Sequence, residues 1–350
     1  MSSTGLFDYE LPKELIAQHP LANRGDARLL VVERSTGQLR HAHIRDLPDL
    51  LQSGDQLVTN DSRVLPARFF GTRVATGGRV ELLFLGSDET GLWQVLVKAR
   101  GNLQPKEVIQ LQDLQARETL KLWLLEKAAD GIWTAYVESN EPPPVILERI
   151  GRMPLPPYIR DGMETEEDRD RYQTVYAKVP GSVAAPTAGL HFTPEILQKL
   201  ADRGIPRHSV TLHVGLGTFK PIQTTDLDEH PMHAEWAKLG GATAGALQAA
   251  KQAGQRIVAV GTTTTRVLET VAAEYHGALR SWSGATQLFI RPPYTFRAVD
   301  VLLTNFHLPR TTLLLLVSAF AGTELMRSAY QVAVREQYRF YSYGDAMLIV

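Results

Sequence analysis

The chain has no cysteine. That absence excludes a disulfide framework, a thiolate nucleophile, an iron–sulfur cluster and a cysteine-ligated zinc, so any metal would have to be held by histidine and carboxylates. It also lacks an excess of either charge. Its 37 Lys+Arg stand against 38 Asp+Glu, a formal charge of -1, which removes the bulk basic signature usual in strong phosphate binders but leaves room for a local basic face. No apolar run is long enough for a bilayer: the longest, around residues 313–322, is about half of the roughly 20 residues required. The first eight residues show no basic segment followed by an apolar one, so no secretory signal is read there. A soluble, cytoplasmic protein without a membrane partner is expected.

What is present is an ordinary globular composition, 44% hydrophobic and 21% charged over 350 residues. At roughly 150 residues per domain this predicts about two domains. Residues 29–33 and 39–44 flank a Ser35-Thr36-Gly37 turn and read as a hairpin, and 56–59 as a short strand. From 68 to 137, six short β-type runs are punctuated by glycines, the pattern of a small antiparallel barrel or sandwich. Pro142, Pro143 and Pro144 then stiffen the chain and mark a boundary. Beyond them, helices are predicted at 193–203, 242–253, 263–273, 313–320 and 324–335, alternating with strands at 209–213, 256–260 and 299–303. Such alternation implies an α/β layer. The expected fold is therefore α/β, with a mixed or largely parallel sheet interrupted by an inserted antiparallel β-barrel. Residues 1–62 and 150–350 would form the discontinuous catalytic domain and 63–149 the insertion. Residues 60–110 carry seven basic and five acidic side chains, whereas 161–170 hold six acids; the insertion is thus a candidate basic surface.

Several polar stretches sit where α/β proteins present chemistry, beyond the carboxyl ends of strands. Gly261-Thr-Thr-Thr-Thr-Arg266 runs from a strand into a helix; the unpaired N–H groups and dipole of a helix N-terminus suit a carboxylate or phosphate, unless the threonines merely cap the helix. It matches neither a Walker loop nor a dinucleotide fingerprint. His213-Val-Gly215-Leu-Gly217-Thr218-Phe could admit a ligand close to the backbone or form only a tight turn. His230, His233 and Glu235 lie within six residues, but they lack the helical spacing of a zinc motif, so proton transfer or ribose binding is preferred to a metal. Thr187 to His191 and Thr304, Asn305 and His307 each group hydroxyl, amide or imidazole functions. Asn60-Asp61-Ser62-Arg63 pairs a carboxylate with a guanidinium just before the insertion, and Tyr338, Tyr341 and Tyr343 stand among Arg339 and Asp345. Aromatics beside arginine can stack bases or simply pack.

Taken together, these segments resemble one family, the S-adenosylmethionine:tRNA ribosyltransferase-isomerases of queuosine biosynthesis. The resemblance runs through Phe7 to Gln18, Asn60 to Arg68, Gly151 to Tyr158, Tyr172 to Tyr176, Gly181 to Phe192, His213 to Phe219, Ala259 to Thr263, Thr304 to Pro309 and Tyr338 to Ile349, nearly the whole chain in order. Two positions depart from the family pattern: Ser62 replaces a threonine, and Pro293 stands where Pro-Gly-Tyr is usual.

The resemblance implies that S-adenosylmethionine is consumed as a co-substrate, with no true cofactor and no metal. Its ribose would be transferred and isomerised onto 7-aminomethyl-7-deazaguanine at the wobble position of tRNA, giving epoxyqueuosine, adenine and methionine. His191, His307, Asp61 and Glu235 are then the proton-transfer candidates. Thr262, Thr263 and Arg266 would hold the methionine carboxylate or a tRNA phosphate, and Gly215, Gly217 and Thr218 would border the nucleoside. Arg63, Arg68, Tyr338 and Tyr343 would face tRNA; Thr187, His213, His233, Asn305 and Asp345 complete the substrate-binding set. A monomer is expected, binding tRNA through a local positive potential that salt would screen. Two other classes remain in view, a non-enzymatic tRNA-binding module and an S-adenosylmethionine-dependent RNA methyltransferase.

Overall fold

Runs of buried apolar residues make the central strands, because a strand covered on both faces needs no polar alternation. A computed structural model describes residues 7–113, 119–215, 222, 224 and 226–350. The hairpin is β1 (Arg28–Val32) and β2 (Leu39–His43), followed by the short helix α1 (Leu47–Leu50), β3 (Gln56–Asn60) and β4 (Ser62–Val64). Six strands come next: β5 (Arg68–Arg73), β6 (Arg79–Ser87), β7 (Trp93–Ala99), β8 (Val108–Gln112), β9 (Thr119–Lys127) and β10 (Trp133–Val137). They close as an antiparallel barrel in the order β10-β7-β6-β5-β8-β9. Its core is built by alternation, with Phe69, Leu82, Trp93, Ile109, Leu122 and Trp133 turned inward.

The remaining elements are α2 (Pro143–Ile150), α3 (Asp168–Arg171), β11 (Val179–Ser182), α4 (Pro194–Asp202), β12 (Arg207–Leu212), β13 (Glu235–Leu239), α5 (Gly241–Gln252), β14 (Ile257–Val260), α6 (Gly261–Glu274), β15 (Trp282–Thr286), β16 (Val301–Asn305), α7 (Thr312–Ala321), α8 (Thr323–Arg335) and β17 (Ala346–Ile349). Nine strands form one sheet in the order β15-β13-β12-β3-β14-β16-β17-β1-β2. It is mixed: β12, β3, β14 and β16 are mutually parallel, while β13, β15 and β17 introduce antiparallel pairs. Among the described residues no single helix is long and apolar enough to cross a membrane; the apolar α7 lies in the core.

The proline run does more than stiffen a linker. Pro143 and Pro144 occupy the first turn of α2, where a missing N–H costs nothing, and Ile146, Leu147 and Ile150 pack into the barrel core. The chains that enter and leave the barrel are joined by reciprocal backbone hydrogen bonds, Arg68 N–H to Arg152 O at 3.2 Å and Arg152 N–H to Arg68 O at 2.6 Å. Beside them, Gly151 leaves no room for a side chain, since a Cβ would run into the carbonyl oxygens of Pro66 and Leu147. Gly151→Ala must therefore push these backbones apart, at a cost of about 3 kcal/mol. Chemical denaturation should show the loss; an unchanged midpoint would contradict this close approach.

Candidate active site

Because β12, β3, β14 and β16 run parallel, their carboxyl ends open on the same edge of the sheet, the position where α/β folds place ligands. Asn60, the last residue of β3, pins that edge. Its Oδ1 accepts N–H groups from Ser62 at 3.1 Å and Leu212 at 3.0 Å, and its Nδ2 donates to Leu212 O at 3.0 Å and Thr263 Oγ1 at 3.4 Å. Next to it, α6 starts directly from β14 through Gly261, whose φ of +87° favours glycine. Thr264 and Thr265 turn their hydroxyls back onto Val260 O and Gly261 O. Thr262 and Thr263 are left to line a cleft, together with Thr187, Val214, Asn305 and His307.

Asn305 organises the opposite wall. Its Oδ1 accepts from Thr187 Oγ1 at 2.9 Å, and its Nδ2 donates to Tyr341 O at 3.1 Å and faces His191 Nε2 at 3.2 Å. An amide nitrogen only donates, so His191 Nε2 must accept and the ring is neutral. Burial, with Arg24 and Arg339 adding like charge, pushes the His191 pKa down to about 4. His307 is also buried, which lowers its pKa to about 3; its Nε2 meets Thr304 Oγ1 at 2.9 Å and its backbone N–H donates to the Tyr330 hydroxyl.

Asp61 sits half-buried at the same edge, with Oδ1 accepting the Thr211 hydroxyl at 2.7 Å. His213 stacks on Trp236, a residue that its place in a short, weakly patterned strand hid from the sequence reading. Arg63 and His233 are exposed. Gly217 and Thr218 lie outside the described residues.

The structure corrects other expectations. Arg266 is not free for an anion: it forms a buried ion pair with Glu235 and reaches Leu288 O. Glu235 also accepts the Gly215 N–H at 2.8 Å, so this carboxylate is engaged at both Arg266 and Gly215 and is not an available base. Arg68 pairs with Glu81 and donates to Gly162 O. Tyr338 and Tyr343 cannot stack bases because both are buried; the first meets His41 Nδ1 and the second donates to Asp168. Asp345 is tied to Arg28 and the Arg339 N–H. Among the described residues, no group of three or more His, Asp or Glu is arranged to hold a metal ion. The Pro292–Pro293 peptide is cis.

The fold and cleft together define an α/β protein with a closed β-barrel and a polar site at the carboxyl edge of its sheet. The model of the family described as "Queuosine biosynthesis protein" matches residues 4–349, and the chain belongs to that family. A relative from Natranaerobius thermophilus named S-adenosylmethionine:tRNA ribosyltransferase-isomerase is 49% identical over 349 residues, 98% of each chain. A crystal structure of S-adenosylmethionine tRNA ribosyltransferase from Thermotoga maritima is 35% identical, covering 99% of this chain and 100% of that one, with a TM-score of 0.56.

The two buried imidazoles set a pH dependence. Both pKa values lie below the ordinary 6.5, so below that pH the unfolded chain binds protons that the folded chain refuses, and stability falls as pH falls toward about 4 and 3. From pH 7 to pH 5 each histidine should remove about 2 kcal/mol. Urea denaturation of the wild type and of His191→Gln and His307→Gln checks this: each variant should show a shallower pH dependence, and an unchanged slope would contradict neutral burial.

Proposed function

We propose that the chain is an S-adenosylmethionine:tRNA ribosyltransferase-isomerase, moving and isomerising the ribose of S-adenosylmethionine onto 7-aminomethyl-7-deazaguanine at the tRNA wobble position. What carries the proposal is the convergence of Thr187 and Ala188, the start of α6 and the Thr304–His307 segment on one cleft. The end-to-end relatives that bear this activity in their names support it.

The reaction needs a base for a proton beside the sulfonium, hydrogen-bond donors for departing adenine, and a neutral amine as nucleophile. Asp61 takes the amine: Thr211 holds one carboxylate oxygen, leaving the other to receive the aminomethyl group and its proton. His307 faces the cleft as a neutral ring, too weakly basic to be a strong acceptor but able to offer an N–H to the leaving purine. His191 acts through Asn305 as a positioning residue. Thr262, Thr263 and the first-turn N–H groups of α6 hold the methionine carboxylate, while Glu235, paired with Arg266, holds Gly215 beside the nucleoside. Arg63 and His233 face tRNA. Residues 1–62 and 150–350 form the catalytic unit and 63–149 the inserted barrel. The protein acts as a cytoplasmic monomer without a resident metal.

Mass analysis after incubation with S-adenosylmethionine and precursor-bearing tRNA should find adenine and methionine in equal amounts. S-adenosylhomocysteine would instead mean methyl transfer, and tRNA binding without turnover a passive module. Asp61→Asn should lower kcat about 100-fold or more with little change in S-adenosylmethionine affinity; normal turnover would remove Asp61 from the chemistry.

A further inference from the structure

Alternation along β13 turns Glu235, Ala237 and Leu239 inward and Trp236 and Lys238 outward. Trp236 is 43% exposed, yet it is held in place. Its ring lies against His213 with centroids 5.1 Å apart and planes 19° apart, and the His213 N–H donates to Trp236 O at 3.0 Å. The imidazole in turn sits against Gly181, whose φ is +139° and where a Cβ would stand 2.8 to 3.1 Å from three ring atoms. Only glycine leaves the ring that seat. Burial holds the His213 pKa below the ordinary value, with Asp61 partly opposing the shift. One ring thus backs another, and the outer face of the tryptophan is open.

The position matters as much as the stack. His213 immediately precedes Val214, which lines the cleft, and the stack stands on the face that alternation turns away from Glu235. Two residues before His213, near the end of β12, Thr211 holds Asp61. The ring that backs the tryptophan therefore lies within electrostatic reach of that carboxylate, and the tryptophan extends the aromatic surface outward from it. Single-stranded RNA is gripped by stacking of splayed bases on aromatic side chains, and a base that undergoes chemistry must leave its stack.

We propose that Trp236, backed by His213, is the platform on which the reacting deazaguanine stacks when it leaves the anticodon loop, with its aminomethyl nitrogen directed to Asp61. This rests on the ribosyl-transfer activity proposed above. Phe70, Trp123 and Tyr136 are also exposed aromatics, but they belong to barrel strands.

The test uses full-length protein and an anticodon stem-loop carrying 7-aminomethyl-7-deazaguanine, beside a stem-loop abasic at that position. Fluorescence anisotropy of labelled RNA gives RNA affinity and calorimetry gives S-adenosylmethionine affinity. Trp236→Ala should weaken binding of the modified stem-loop about 5- to 150-fold, the range of a single base–aromatic stack, and abolish the preference over the abasic RNA. Trp236→Phe should keep most of both, and S-adenosylmethionine affinity should stay unchanged in either variant. Wild-type RNA affinity in Trp236→Ala, or a loss confined to S-adenosylmethionine, would overturn the platform while leaving the activity intact. A wild-type protein that releases no adenine would overturn the activity itself, and the platform with it.

Discussion

One buried amide joins the parts of this site. Asn60 is 1% exposed, and its two acceptor and two donor bonds tie the end of β3 to both backbone groups of Leu212 and to Thr263 at the start of α6. An amide so placed has no water to fall back on, and each bond lost would cost about 1–3 kcal/mol. The geometric effect is larger than the energetic one. The segment after β12 carries His213 and Gly215, and the start of α6 carries Thr262 and Thr263, so a single side chain fixes both relative to Asp61.

Around this joint the electrostatics are local. Arg24 donates to the backbone carbonyls of Gln173 and Leu190, and burial together with Arg171 lowers its own pKa. The positive surroundings help to keep the nearby His191 neutral. Elsewhere charge is neutralised inside the fold, as at Arg266–Glu235 and Arg160–Asp168. A balance of 37 against 38 thus says little about the field at the cleft, because the charges that matter differ in burial and partnership.

Much of the fold was legible because it rests on local chemistry. Thr193 caps α4 and Pro194 opens it, as their positions indicate, and the six glycine-punctuated runs became the barrel strands. What stayed hidden depends on distant partners. Tyr343 meets Asp168 across 175 residues, and Arg28 meets Asp345 across 317, so the C-terminal tyrosines read as a surface when they are core. β13 and β15 are short, and β15 contains Ser283 and Gly284, which weakens any strand signal. The candidate site was half visible: Thr187, Asn305 and His307 could be grouped by residue type, whereas the diversion of Arg266 to Glu235 required the sheet.

Asn60→Asp probes the joint most directly, since it keeps the shape and replaces the two donated hydrogen bonds with a buried negative charge facing Leu212 O. Measured on the same preparation, stability should fall by about 3 kcal/mol and adenine release from S-adenosylmethionine by about 100-fold or more. A variant with wild-type stability and wild-type turnover would contradict the account.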